Sequence, residues 1–194
     1  MQRFLDDVID LVRGRVQPLS HYQYPFWQTA LLLTLMGVFA SARAVEIGGS
    51  TDGRLLFFVL FTWMQILLFV RFIGWWLRLA GAELEGSLFG LVVLTNSPQL
   101  LEPLASWLPD DVARGVTLAL SLLSVIILIR ALSSVSGVSK LRVFLGVLCY
   151  TPLAILLLTG LTGFAGQMGW IELPPELLDA ASQGASSAGA SSAR

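Results

Sequence analysis

Between Pro25 and Gly166 the chain carries five long apolar stretches, separated by short polar breaks and almost free of ionisable residues. Each approaches the roughly 20 residues that a helix needs to cross a hydrocarbon core about 30 Å thick. The expected fold is therefore all-α: a polytopic membrane protein with five transmembrane helices behind an N-terminal amphipathic interfacial helix. Hydrophobic residues fill 55% of the 194 positions and charged residues 13%, so one membrane domain uses nearly all the chain. The expected boundaries are residues 1–24 for the interfacial segment, 25–168 for the membrane domain and 169–194 for a polar tail, largely disordered and dominated by Ala, Ser and Gly from residue 184.

The lead-in is amphipathic. Over residues 2–17 a turn of about 100° per residue puts Phe4, Leu5, Val8, Ile9, Leu11 and Val12 on one half of a wheel, and Arg3, Asp6, Asp7, Asp10 and Arg13 on the other. Such a helix lies either on the membrane surface or on the protein's own cytosolic face. The crossings are expected at residues 26–42, 55–79, 87–108, 116–132 and 143–165. Ala40-Ser41-Ala42 superficially matches a signal-peptidase site, but the long acidic region before it is unlike a basic leader, so the first crossing is read as retained.

Two crossings carry unusual residues. In the second, Arg71 and Arg78 share a face with Trp75 and Trp76 beside them, an interfacial pattern. The arginines either snorkel to the interface or bind a lipid phosphate or a partner's carboxylate. In the third, Asn96-Ser97-Pro98 interrupts the apolar run, and Pro98 both lacks a backbone donor and crowds the preceding turn. A kink or unwinding near Ser97 is expected, facing the bundle interior, where freed backbone groups find partners. Pro152 is expected to bend the last crossing.

Charge gives direction. Arg3, Arg13, Arg15, Arg71, Arg78, Arg130, Lys140 and Arg142 fall on one side of a five-crossing chain, and Arg43, Arg54, Arg114 and Arg194 on the other, eight against four. The positive-inside rule then predicts a cytoplasmic amino terminus and an extracytoplasmic carboxyl terminus, in a bacterial inner membrane. A net charge of −1 argues against a nucleic-acid surface.

Reactive groups are sparse. The one histidine, His21, precedes the first crossing and is read as interfacial, with no nucleophile paired to it. One His and one Cys do not make a zinc site, and Cys149 sits in an apolar run as a small packing residue. No glycine-rich phosphate loop occurs, so no enzyme activity, cofactor or metal is expected. Close helix packing is better signalled, by Gly37 with Ser41 in the first crossing and Gly86 with Gly90 at the entrance to the third.

The amphipathic lead-in, the five crossings, the break at Asn96-Ser97-Pro98 and the small polar turn Ala131-Leu132-Ser133-Ser134-Val135-Ser136-Gly137-Val138-Ser139-Lys140 together resemble the Yip1 domain family, specifically its small bacterial members, over roughly residues 4 to 168. The resemblance implies a five-helix protein with its amino terminus inside, whose eukaryotic relatives act in membrane trafficking through partner proteins. The family's aspartate-leucine-tyrosine-glycine-proline motif is missing, so binding of a small GTPase is not carried over. The leading expectation is a non-enzymatic inner-membrane protein that binds membrane lipids, a membrane-protein partner or a second copy of itself in envelope organisation. The alternative is a small transporter or channel subunit, with Arg71, Asn96 and the broken third segment lining a path.

Overall fold

The computed structural model describes residues 2–44, 47–101, 103 and 107–172. Six helices account for most of them: α1 (Gln2–Val12), α2 (Phe26–Arg43), α3 (Thr51–Leu79), α4 (Phe89–Thr95), α5 (Asp110–Ser136) and α6 (Lys140–Gln167). Short 3₁₀ turns lie at Leu19–Tyr22 and Ser97–Leu101. The expected disorder of the tail falls from residue 173 onward, outside the described residues.

Helix boundaries follow local chemistry. Ser50 caps α3 by accepting the Gly53 amide at 3.1 Å, while Asp52 in the first turn and Arg78 in the last complement the helix dipole. α2 and α5 each start directly after a proline, Pro25 and Pro109, where a fixed φ suits entry into a helix. α5 stops at Gly137, whose φ of 67° is the left-handed conformation that ends many helices. α6 continues through Pro152 from Lys140 to Gln167.

Among the described residues three helices, α3, α5 and α6, are long and apolar enough to cross a membrane, with mean hydropathies of 2.2, 2.3 and 2.1. That corrects the expectation of five. α2 has 18 residues, and its ends carry Gln28 and Arg43, so its apolar centre is too short to qualify. The third expected crossing is divided: α4 has seven residues, ends at Thr95, and gives way to the 3₁₀ turn starting at Ser97, where Pro98 prevents continuation. Every residue of α4 from Gly90 to Thr95 is buried, so this segment is apolar because protein surrounds it on all sides.

Contacts fix how the helices run. Gly37 of α2 lies against Val59 of α3, and Trp63 Nε1 donates to Thr34 Oγ1 at 3.4 Å, so the two are antiparallel. α6 also runs against α3: Gly146 packs on Trp76 and Ile73, Tyr150 donates its hydroxyl proton to the Gln65 carbonyl at 2.9 Å, and Ala165 meets Phe57. The Glu172 amide then donates to the Gly48 carbonyl at 3.0 Å, closing one end of the bundle. At the other end Trp76 Nε1 donates to the Arg142 carbonyl at 3.0 Å, and Arg130 of α5 approaches Gly14 just after α1. α5 therefore runs parallel to α3, and residues 80–101 return along the bundle through buried α4.

α1 packs on the bundle rather than lying free of it. Leu11 is buried and Phe4 and Val8 touch the main core, whereas Ile9 and Val12 remain 47% exposed. Asp7, placed by the wheel on the polar half, is also buried, because it accepts from the Tyr24 hydroxyl and meets His21 Nε2 at 2.9 Å. His21 is thus a partner of α1 and not merely an interfacial residue. Burial pushes the Tyr22 phenol up, with Asp7 and Asp10 adding to the effect, although the Gln17 amide donating to its oxygen at 3.0 Å pulls the other way. Asp7→Ala leaves His21 and Tyr24 without their buried acceptor, at a cost of about 1–3 kcal/mol. Hydrogen exchange should then show α1 losing protection while α3 and α6 keep theirs; unchanged protection of α1 would mean that the apolar contacts alone hold it.

Candidate functional site

Arginines at positions 71 and 78 are seven residues apart, which returns them to nearly the same helix face about 10 Å apart along the axis. Trp75 lies between them. The facing wall is built by the chain after α3, which Gly81 (φ 83°) and Gly86 (φ 120°) turn back along the helix, conformations that a side chain would strain. Leu88 reaches to within 3.8 Å of the position a Cβ on Gly74 would take, so the wall seats on α3. Between them is a cleft of about 450 Å³, with Arg71, Trp75 and Arg78 on one side and Leu84, Gly86 and Ser87 on the other.

Charge is sorted by this wall. The chain at residues 82–85 is non-helical, and Glu83 and Glu85 line a different cleft, beside Gln17 and Ser134, while Leu84 faces the arginines. Arg71 and Arg78 are both exposed, and among the described residues neither guanidinium makes a hydrogen bond or an ion pair. Two unspent guanidinium groups with an amphipathic indole between them suit a phosphate or carboxylate held at the membrane interface. The arginine face was legible from spacing; the opposing wall was not, because it depends on two glycine dihedrals.

Asn96 lies elsewhere. It lines a second cavity, between α2, α3 and the Ser97–Leu101 turn, which contains neither Arg71 nor Arg78. The expected joint path through Arg71 and Asn96 is therefore not formed among the described residues. The break is satisfied from within: Asn96 Nδ2 and Thr95 Oγ1 both donate to the Val92 carbonyl at 2.8 Å. Ser97 and Pro98 are buried, and the Ser97 hydroxyl has no hydrogen-bond partner among the described residues.

The packing residues divide in the same way. A Cβ on Gly37 would lie 2.6 Å from Val59 Cα, and one on Gly90 would lie 2.1 Å from the Tyr22 carbonyl oxygen. Ser41 is buried in the last turn of α2. Gly86 lies outside α4, which starts at Phe89, so it does not form a helical pair with Gly90. Its positive φ bends the chain beside Gln23, whose Nε2 donates to the Ser87 carbonyl at 3.2 Å.

No family model, curated protein or solved structure matches the chain.

Proposed function

We propose that the chain is a non-enzymatic integral protein of a bacterial inner membrane, of Yip1-like type, that holds anionic lipid headgroups in the Arg71–Arg78 cleft and serves envelope organisation through lipids and membrane partners. The observation that carries this reading is the pair of exposed arginines with Trp75 in one cleft that no acidic residue lines. Each Arg near an anionic surface contributes about 1 kcal/mol, and a cleft at the interface also orients the phosphate. The exposed apolar faces of α5 and α6, Leu118, Leu122 and Ile126 on one and Leu141, Leu148 and Leu156 on the other, supply the surface that lipid tails or a second membrane helix would cover.

Orientation follows from the same end of the bundle. α1, the arginine cleft, Arg130 and Arg142 gather there, so the positive-inside rule assigns it to the cytoplasm and leaves the Gly48–Glu172 end outside. Electron spin resonance with spin-labelled lipids tests the function. The protein in bilayers should immobilise phosphatidylglycerol in preference to phosphatidylcholine, and the preference should fade with added salt. Equal immobilisation of the two lipids at low salt would contradict the reading.

A further inference from the structure

Resting on anionic-lipid binding in the Arg71–Arg78 cleft, we infer that the ligand held there is a lipid diphosphate, a lipid alcohol whose head carries two phosphates in series along the chain axis. Arg78 lies in the last turn of α3, and Arg71 is one heptad deeper in the same helix. The two therefore stand at different depths, about 10 Å apart along the helix axis. The phosphates of glycerophospholipids lie at one level of the headgroup region, so one such headgroup meets one arginine of the pair squarely. Two phosphates in series meet both.

Spacing separates the two cases. A guanidinium that clasps a phosphate through N···O contacts of about 2.8 Å has its central carbon roughly 4 Å from the phosphorus, so two arginines flanking one phosphate stand roughly 8 Å apart. With a diphosphate between them the same contacts and one bridging oxygen set them roughly 11 Å apart. Side chains on one helix face lean the same way, toward its amino terminus, so the two heads keep about the spacing of their Cα atoms. An axial spacing of about 10 Å fits the diphosphate.

The rest of the cleft suits the same ligand. Ser87 Oγ accepts the Phe89 amide at 3.2 Å, and its own proton has no acceptor among the described residues, so it is available to a phosphate oxygen. Gly74, between the two arginines along α3, leaves that part of the cleft free of a side chain. The volume of about 450 Å³ equals roughly fifteen waters at about 30 Å³ each, more than one phosphate fills. Trp75 and Leu84 line the same cleft and offer apolar surface to the first carbons of the alcohol, surface that a soluble diphosphate would leave uncovered.

Native mass spectrometry of the full chain, titrated separately with farnesyl diphosphate, farnesyl phosphate, inorganic pyrophosphate and phosphatidylglycerol, tests the inference. Farnesyl diphosphate should bind at least tenfold more tightly than farnesyl phosphate and at least tenfold more tightly than inorganic pyrophosphate. Arg71→Gln and Arg78→Gln should each erase the preference for diphosphate over monophosphate. Arg71→Gln/Trp75→Arg should erase it too, because it keeps two arginines but sets them less than one helical turn apart, which separates spacing from charge. Equal affinity for farnesyl diphosphate and farnesyl phosphate would overturn the inference, as would a preference that survives in Arg71→Gln/Trp75→Arg. Inorganic pyrophosphate bound as tightly as farnesyl diphosphate would also overturn it, by making the ligand a soluble diphosphate. Phosphatidylglycerol bound without any diphosphate preference would overturn this inference alone, whereas failure of every anionic lipid to bind would remove the lipid-binding reading as well.

Discussion

Gly90→Ala should destabilise the protein by about 2–3 kcal/mol, although the same change at an open helical position should be harmless or favourable. The reason is position. A methyl group at residue 90 would stand 2.1 Å from the Tyr22 carbonyl oxygen, and both sides of that contact are backbone. Neither a rotamer change nor a flexible side chain relieves such a clash, so α4 must move away from the Leu19–Tyr22 turn. Gly37→Ala should behave similarly, since its methyl would meet Val59 Cα at 2.6 Å in the α2–α3 contact. Gly160 is the internal control, because nothing lies within 4 Å of the position its Cβ would take. Gly160→Ala should leave stability unchanged or raise it slightly. Unfolding in mixed micelles with increasing SDS measures all three, and a Gly90→Ala protein as stable as Gly160→Ala would mean that the close approach does not exist.

Removing both cleft charges should have the largest effect on binding. With about 1 kcal/mol for each arginine near anionic lipid, Arg71→Gln/Arg78→Gln loses about 2 kcal/mol, or roughly 30-fold in affinity for phosphatidylglycerol. Both arginines are exposed, so neither change removes a packing contact of the core, and the fold should persist. Each single change should give about the square root of that factor if the two act independently. Arg114→Gln, at the opposite end of the bundle, should have no effect on the same lipid bound at the cleft. Native mass spectrometry with a lipid titration reads these differences. An unchanged phosphatidylglycerol affinity in the double variant would remove the cleft from the functional account.

The long lipid-facing helices were legible because apolar length is a direct physical signature. The expected stretches at residues 55–79, 116–132 and 143–165 fall within α3, α5 and α6, and the break at Asn96-Ser97-Pro98 coincides with the end of α4. The two remaining stretches misled for different reasons: α2 is short and has Gln28 and Arg43 near its ends, whereas α4 is enclosed by protein. An apolar run reads the same whether lipid or protein surrounds it, and the residues of α4 lie inside the bundle. Partners distant in sequence were also invisible: Asp7 looked solvent-facing on a wheel until His21 and Tyr24, 14 and 17 positions away, closed over it. For the candidate site, one helix face carried Arg71, Trp75 and Arg78 in plain periodicity. Leu84 and Ser87 come to face them only through the return of the chain at Gly81 and Gly86, which no local pattern records.

Lipid binding at the cleft depends on α3, α5 and α6 crossing the bilayer with the arginines at one face and the Gly48–Glu172 contact at the other. Single cysteines placed in a Cys149→Ser background, probed by a membrane-impermeant maleimide in oriented vesicles, test this directly. Arg13→Cys, Glu83→Cys and Ser139→Cys should react from one side only, and Asp52→Cys, Arg114→Cys and Met168→Cys from the opposite side only. Labelling of Asp52→Cys and Glu83→Cys from the same side would show that α3 does not cross, and would contradict the account.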